Sequence, residues 1–177
     1  MSAAQFGAMA GTQLATLNST QISALTATTL NGLSGDQIGG LSATQLAGLT
    51  STALGGLAGT GLSGLTLTQI VGLTTTQIRG LNASSISNLS TDQVVALSLT
   101  QMQSLSTSAV AGLSAAQLGT LTVSDLQAFT TTQIQAMSTT QINGLSSDDF
   151  SSFTTTQLKA LTACLKSVDV IWSKLHR

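Results

Sequence analysis

Residues 73–80 read Leu73-Thr74-Thr75-Thr76-Gln77-Ile78-Arg79-Gly80, and close copies stand directly before and after them. These eight residues carry the signals for a single helical turn. Thr74 is a good N-cap, and Gln77 follows three residues later. The hydroxyl of one and the amide of the other can therefore satisfy each other's main-chain N–H groups in a capping box. Leu73 before the cap and Ile78 at the fourth helical position form a hydrophobic staple. Gly80 suits a left-handed C-terminal cap. Start, turn and stop are written in one octad.

Counted from Met1, twenty such octads run to Ala160 without an insertion or a deletion. The first place is always Leu, Met or Phe, and the sixth is always apolar, from Phe6 and Leu14 to Phe150 and Leu158. The second is Ser, Thr or Asn except at Ala10 and Ala58, the fifth is Gln in thirteen octads, and the eighth is small. Apolar spacings of five and three do not fit strand alternation. A continuous α-helix fails too, since eight residues leave its apolar stripe about 80° out of phase each time. The chain must be interrupted in every octad, and an isolated turn is unstable unless its Leu and Ile are buried by neighbours.

These points predict an all-α solenoid over residues 1–160, made of about twenty very short capped helical turns, one per octad. The alternative is a β-solenoid with two octads per coil, favoured by the many Thr residues and the regular Gly. Residues 161–177 break the register. Leu161, Leu165, Val168, Trp172 and Leu175 recur at spacings of four and three, as on one face of an ordinary amphipathic helix, so this segment reads as a C-terminal capping helix or tail.

The chemistry of the chain is sparse. Charged residues are 6% of the sequence, and within the array Arg79 and Lys159 stand against five aspartates. Binding to a nucleic-acid backbone needs clustered cations, so that class of partner is not expected. No apolar run approaches the length of a membrane span. Gly59-Thr60-Gly61-Leu62-Ser63-Gly64 fits a dinucleotide-binding pattern but lacks its strand, helix and acidic residue. One histidine (His176), one cysteine (Cys164) and no glutamate leave neither a triad nor a zinc set to assemble, and the pair Asp148–Asp149 reads as first-turn dipole partners. We expect no enzyme activity, no cofactor and no metal.

The octads "LTTTQIRG", "LSTDQVVA" and "MSTTQING" resemble the Leu-(Ser/Thr)-x-x-Gln-(Ile/Leu/Val) arrays of very large bacterial secreted and surface proteins of adhesin or filament type. That resemblance covers the array and not the tail. It implies an extracellular or cell-surface location and offers no catalytic residues to carry over. "LSTDQVVAL" is also similar to the first helix of the repeats in plant-pathogen DNA-binding effectors, whose length and basic charge are absent here.

Two functions are then expected of a nearly neutral repetitive rod. The first is structural: self-association into a filament, sheath or stalk through the ends, with Met1 and Phe6 at one end and Leu165, Val168, Trp172 and Leu175 at the other. The alternative is a module that binds a repetitive surface such as ice, polysaccharide or mineral. It would use Thr at the fourth octad place, which holds in twelve of the twenty units.

Overall fold

The computed structural model describes residues 2–57 and 60–164. Over these residues the chain forms twenty short α-helices, numbered α1 to α20 in chain order, one in each octad, and no strand. The helical solenoid is the fold, and the β alternative is set aside.

Helices pack on the one three places later along nearly the whole array, from α1 on α4 and α3 on α6 to α17 on α20, so three octads make one coil. The solenoid therefore has three columns of stacked helices. One column holds α1 (Ala3–Gly7), α4 (Ala27–Leu30), α7 (Ser51–Gly55), α10 (Thr75–Arg79), α13 (Leu99–Ser104), α16 (Val123–Ala128) and α19 (Ser147–Ser152). The second holds α2 (Gly11–Ala15), α5 (Gly35–Gly39), α8 (Thr60–Ser63), α11 (Ala83–Ser87), α14 (Thr107–Ala111), α17 (Thr131–Gln135) and α20 (Thr155–Cys164). The third holds α3 (Ser19–Ser23), α6 (Ala43–Gly48), α9 (Leu67–Gly72), α12 (Thr91–Val95), α15 (Ala115–Leu118) and α18 (Thr139–Gly144).

Helix starts follow the capping chemistry. In α10 the Thr74 side chain accepts from the Gln77 N–H, and Gln77 Oε1 accepts from the Thr74 N–H at 2.9 Å. The same reciprocal pair opens most of the other helices. At α2, where Ala10 has no hydroxyl, only the glutamine half forms, from the Ala10 N–H to Gln13 Oε1. Sixth-place residues such as Ile38, Ile78, Ile86 and Ile134 are fully buried, and the first-place Leu33, Leu73, Leu81 and Phe129 beside them nearly so. Together they form one continuous apolar interior.

Helix ends depart from the expected left-handed cap. Gly80 has φ −74° and ψ −14°, and Gly40, Gly112 and Gly119 likewise stay right-handed. The reason for a small eighth residue lies between coils. A Cβ on Gly80 would fall on Ser51 of α7, one on Gly112 would fall on the backbone of Ala83, and one on Gly144 would come within 2.7 Å of the Ala115 Cβ. Here glycine permits close stacking rather than a left-handed turn.

The tail enters the description only at its start. α20 runs through Ala160 to Cys164 without a break, and Leu161 is fully buried.

Candidate association surfaces

The contact that joins successive coils is made by the fifth-place glutamine. Its Oε1 is occupied by the cap, while its Nε2 reaches the coil before. Gln77 Nε2 donates to the Leu46 carbonyl at 2.7 Å and the Leu49 carbonyl at 2.9 Å. Leu46 lies near the end of α6 and Leu49 just before α7, so the amide sits at the corner where the chain turns between them. Gln45, Gln101, Gln117, Gln133, Gln141 and Gln157 repeat this to carbonyls 31 and 28 residues earlier. Gln37 and Gln69 reach back 30 and 28 residues. Carbonyls at a helix end have no partner within the helix, and the amide supplies one. From Gln45 onward these side chains are buried, with the exception of the half-buried Gln69.

Where the fifth residue is not Gln, other groups stand in, or nothing does. At α11 the Asn82 amide and the Ser85 hydroxyl both donate to the Gly55 carbonyl, at 2.8 and 2.7 Å. At α14 the cap residue Ser106 donates to the Leu81 carbonyl at 2.8 Å while accepting from the Ala109 N–H. Asp125 keeps the cap, its Oδ2 accepting from the Thr122 N–H and hydroxyl, but it lacks the amide N–H that a glutamine gives to the corner beneath it.

The first coil shows the donor side of this contact uncovered. Gln5, Gln13 and Gln21 are exposed. Met9, Leu17 and Leu25, at first places that are buried from Leu33 onward, are partly exposed. Phe6 lies within the core, 5% exposed. The other residues expected at the ends, Met1, Leu165, Val168, Trp172 and Leu175, lie outside the described residues.

Two features mark the lateral surface. Thr28, Thr52, Thr76 and Thr100 are exposed on α4, α7, α10 and α13, four helices stacked in succession. One column thus presents a hydroxyl and a methyl at four successive coils. The large exposed apolar residues also gather, although they are dispersed in sequence. Val71 and Val95 end α9 and α12 on one side of the corner between the third and first columns. Leu99 and Val123 open α13 and α16 on the other, and Leu67 sits one turn from Val71. A sequence reading in octads misses this edge, because the gathering appears only once three octads are wound into a coil.

The described grooves are small. One of about 180 Å³ lies between α6 and α9, lined by Ala43, Leu46, Thr66, Thr68, Gln69 and Gly72. Another of about 220 Å³ lies between α2 and α5 and includes Asp36. Asp148 lies in the first turn of α19, and Asp149 is its capping-box acceptor. Of the dinucleotide-like stretch, Gly59 lies outside the described residues, and Thr60–Ser63 is simply the repeat helix α8. Among the described residues no group of His, Cys, Asp or Glu is placed to hold a metal ion, and no helix is long and apolar enough to cross a membrane.

A family model for the ALTTAQ repeat matches residues 73–107 and 123–155. The six letters of that description align with the eighth place of one octad and the first five of the next, as in Gly72-Leu73-Thr74-Thr75-Thr76-Gln77. The match supports a repeat-array protein. Comparison with curated proteins and with solved structures gave no match.

Proposed function

We propose that this chain is a non-enzymatic structural repeat protein, a self-assembling segment or subunit of an extracellular filament, sheath or adhesin stalk. The observation that carries this reading is the uniformity of the stack. Each coil buries its apolar face and pairs its amides against the coil before it. A terminal coil therefore keeps a face built to receive another. Head-to-tail contacts that do not close into a ring extend into filaments. Low charge removes the repulsion that keeps soluble proteins apart.

Light scattering and negative-stain microscopy over a concentration series test the proposal. Growth of rods or oligomers with concentration is the expected result, and a protein monomeric at every concentration would overturn it.

The threonine column favours a second reading, attachment to a repetitive extracellular surface through Thr28, Thr52, Thr76 and Thr100. Under that reading Thr52→Val and Thr76→Val together abolish adsorption to ice, polysaccharide or mineral while leaving the melting temperature nearly unchanged.

A further inference from the structure

The apolar edge lies at one of the three corners of the solenoid. Between the third and first columns, three successive coils carry Val71 with Thr75, Val95 with Leu99, and Gly119 with Val123, all exposed. No charged residue falls within 71–75, 95–99 or 119–123. In the same coils the corner between the first and second columns carries the exposed Arg79, Gln103 and Gln127 at the octad place of Val71 and Val95. The interior therefore does not require an apolar residue there. Because α9 stacks on α12, α10 on α13, α12 on α15 and α13 on α16, these residues form two short rows side by side. One row runs Val71, Val95, Gly119, and the other runs Thr75, Leu99, Val123. A half turn about an axis through the Leu97 corner lays one row on the other in reverse order. Val71 then meets Val123, Val95 meets Leu99, and Gly119 meets Thr75. Each large apolar side chain meets another, and the glycine makes room for the threonine. The patch is thus complementary to itself, as a two-fold contact demands of a single surface.

We infer that this edge is a lateral docking surface for a second copy of this chain, the two solenoids lying side by side and antiparallel about the Leu97 corner. The contact goes beyond the end-to-end assembly proposed above and does not depend on it. Val71, Val95, Leu99 and Val123 are 56, 39, 47 and 52% exposed. Four such side chains leave roughly 300–400 Å² of apolar surface, the size of patch that marks an interaction site. That is about half of what each partner gives to a stable complex, so a single patch pairs weakly and reversibly. With no charge in either row, an acidic or basic partner would find no ion pair here, whereas a second copy matches the patch residue for residue.

The test uses the full chain with Cys164→Ser, so that only introduced thiols react. Val71→Cys and Val123→Cys proteins are prepared separately, mixed at high concentration and treated with a short bis-maleimide. Cross-linked dimer should form in the mixture at several times the yield of either protein alone. In the antiparallel pair Val71 faces Val123, while the two copies of Val71 lie two coils apart. No product in the mixture, or as much from either protein by itself, would overturn the proposal. A second variant, Leu99→Glu with Val123→Glu, places carboxylates at residues that open α13 and α16, where a negative charge is favourable, so the monomer should melt as the parent does. Sedimentation velocity should show its pairing weakened by about tenfold or more, because each carboxylate would face a valine. Pairing as strong as the parent's would also overturn the edge. Rods that grow with concentration but give no mixed cross-link would overturn the edge and leave the filament reading standing. Dimers that carry the cross-link and never lengthen would support the edge and overturn the filament reading.

Discussion

The third and first columns of this solenoid are built on the same kind of apolar interior and differ in what stands at the fifth octad place. In the third column the fifth residue is Gln21, Gln45, Gln69, Gln93, Gln117 and Gln141, a glutamine at every coil. In the first it is Gln5, Thr29, Ala53, Gln77, Gln101, Asp125 and Asp149. Yet α4, α7, α10, α13, α16 and α19 stack in unbroken succession, as do the helices of the complete column. Apolar burial is therefore what makes a coil, while the amide contact adds to it and aligns it. A complete ladder along one column holds the register for the other two.

The largest expected effect is one that should not distinguish the columns at all. Ile70→Asp in the complete column and Ile78→Asp in the broken one both place a charge where no water reaches, since these residues are 1% and 0% exposed. Each should cost about 4 kcal/mol or more, or unfold the neighbouring coils. Arg79→Asp, exposed next door, should melt close to the parent. A clear difference between the two isoleucine variants would break the view that the interior is common to all columns.

The amide itself comes next. Gln117→Ala in the complete column removes the acceptor for the Ser114 N–H and the donor for the Ile86 and Leu89 carbonyls, all in a buried setting. A loss of about 2 kcal/mol is expected from urea denaturation, because the Ser114 N–H and the Leu89 carbonyl lose their partner, while the Ile86 carbonyl keeps the Leu89 N–H. Ser106→Ala, at the improvised corner beneath α14, removes one donor and one cap acceptor and should cost about 1.5 kcal/mol.

Repair of the broken column should work in the other direction. Asp125→Gln keeps the oxygen for Thr122 and adds an amide for the corner at Val94 and Leu97. The melting temperature should rise, with a gain of about 1 kcal/mol. Equal stability of the two proteins would mean that the ladder contributes little beyond capping.

The smallest effect separates two glycines at the same octad place. Gly72, in the complete column, has open space where a Cβ would stand, so Gly72→Ala should stabilise by about 0.5 kcal/mol. Gly80→Ala, in the broken column, drives a methyl into Ser51 and should destabilise. Thermal melts of the two variants side by side would show opposite signs.

Much of the local structure was legible in single octads. The capping box, the staple and the buried first and sixth places are contacts within one octad or demands of burial, and Thr74, Gln77 and Ile78 show all three. The role of Gly80 was misjudged because glycine suits both a left-handed cap and a close approach, and only the neighbouring coil shows which applies. The second half of the glutamine's work was missed because its partners lie 28 to 31 residues away. A signal did exist: the glutamines of the third column recur every 24 residues from Gln21 to Gln141, which is the three-octad coil written in the sequence.

By itself, then, the sequence determined that this protein is a chain of capped single turns with an inward Leu/Ile face. Those outcomes depend on side chains a few residues apart and on their removal from water. The tertiary structure decided how many octads make a coil. Every octad presents nearly the same apolar pair, so a slip by one octad costs the interior little. Close stacking at Gly80 and Gly112, and amides that meet a corner only when three octads separate the helices, break that degeneracy. The same winding brings Val71, Val95, Leu99 and Val123 to one edge and sets four threonines in a column, which no single octad specifies.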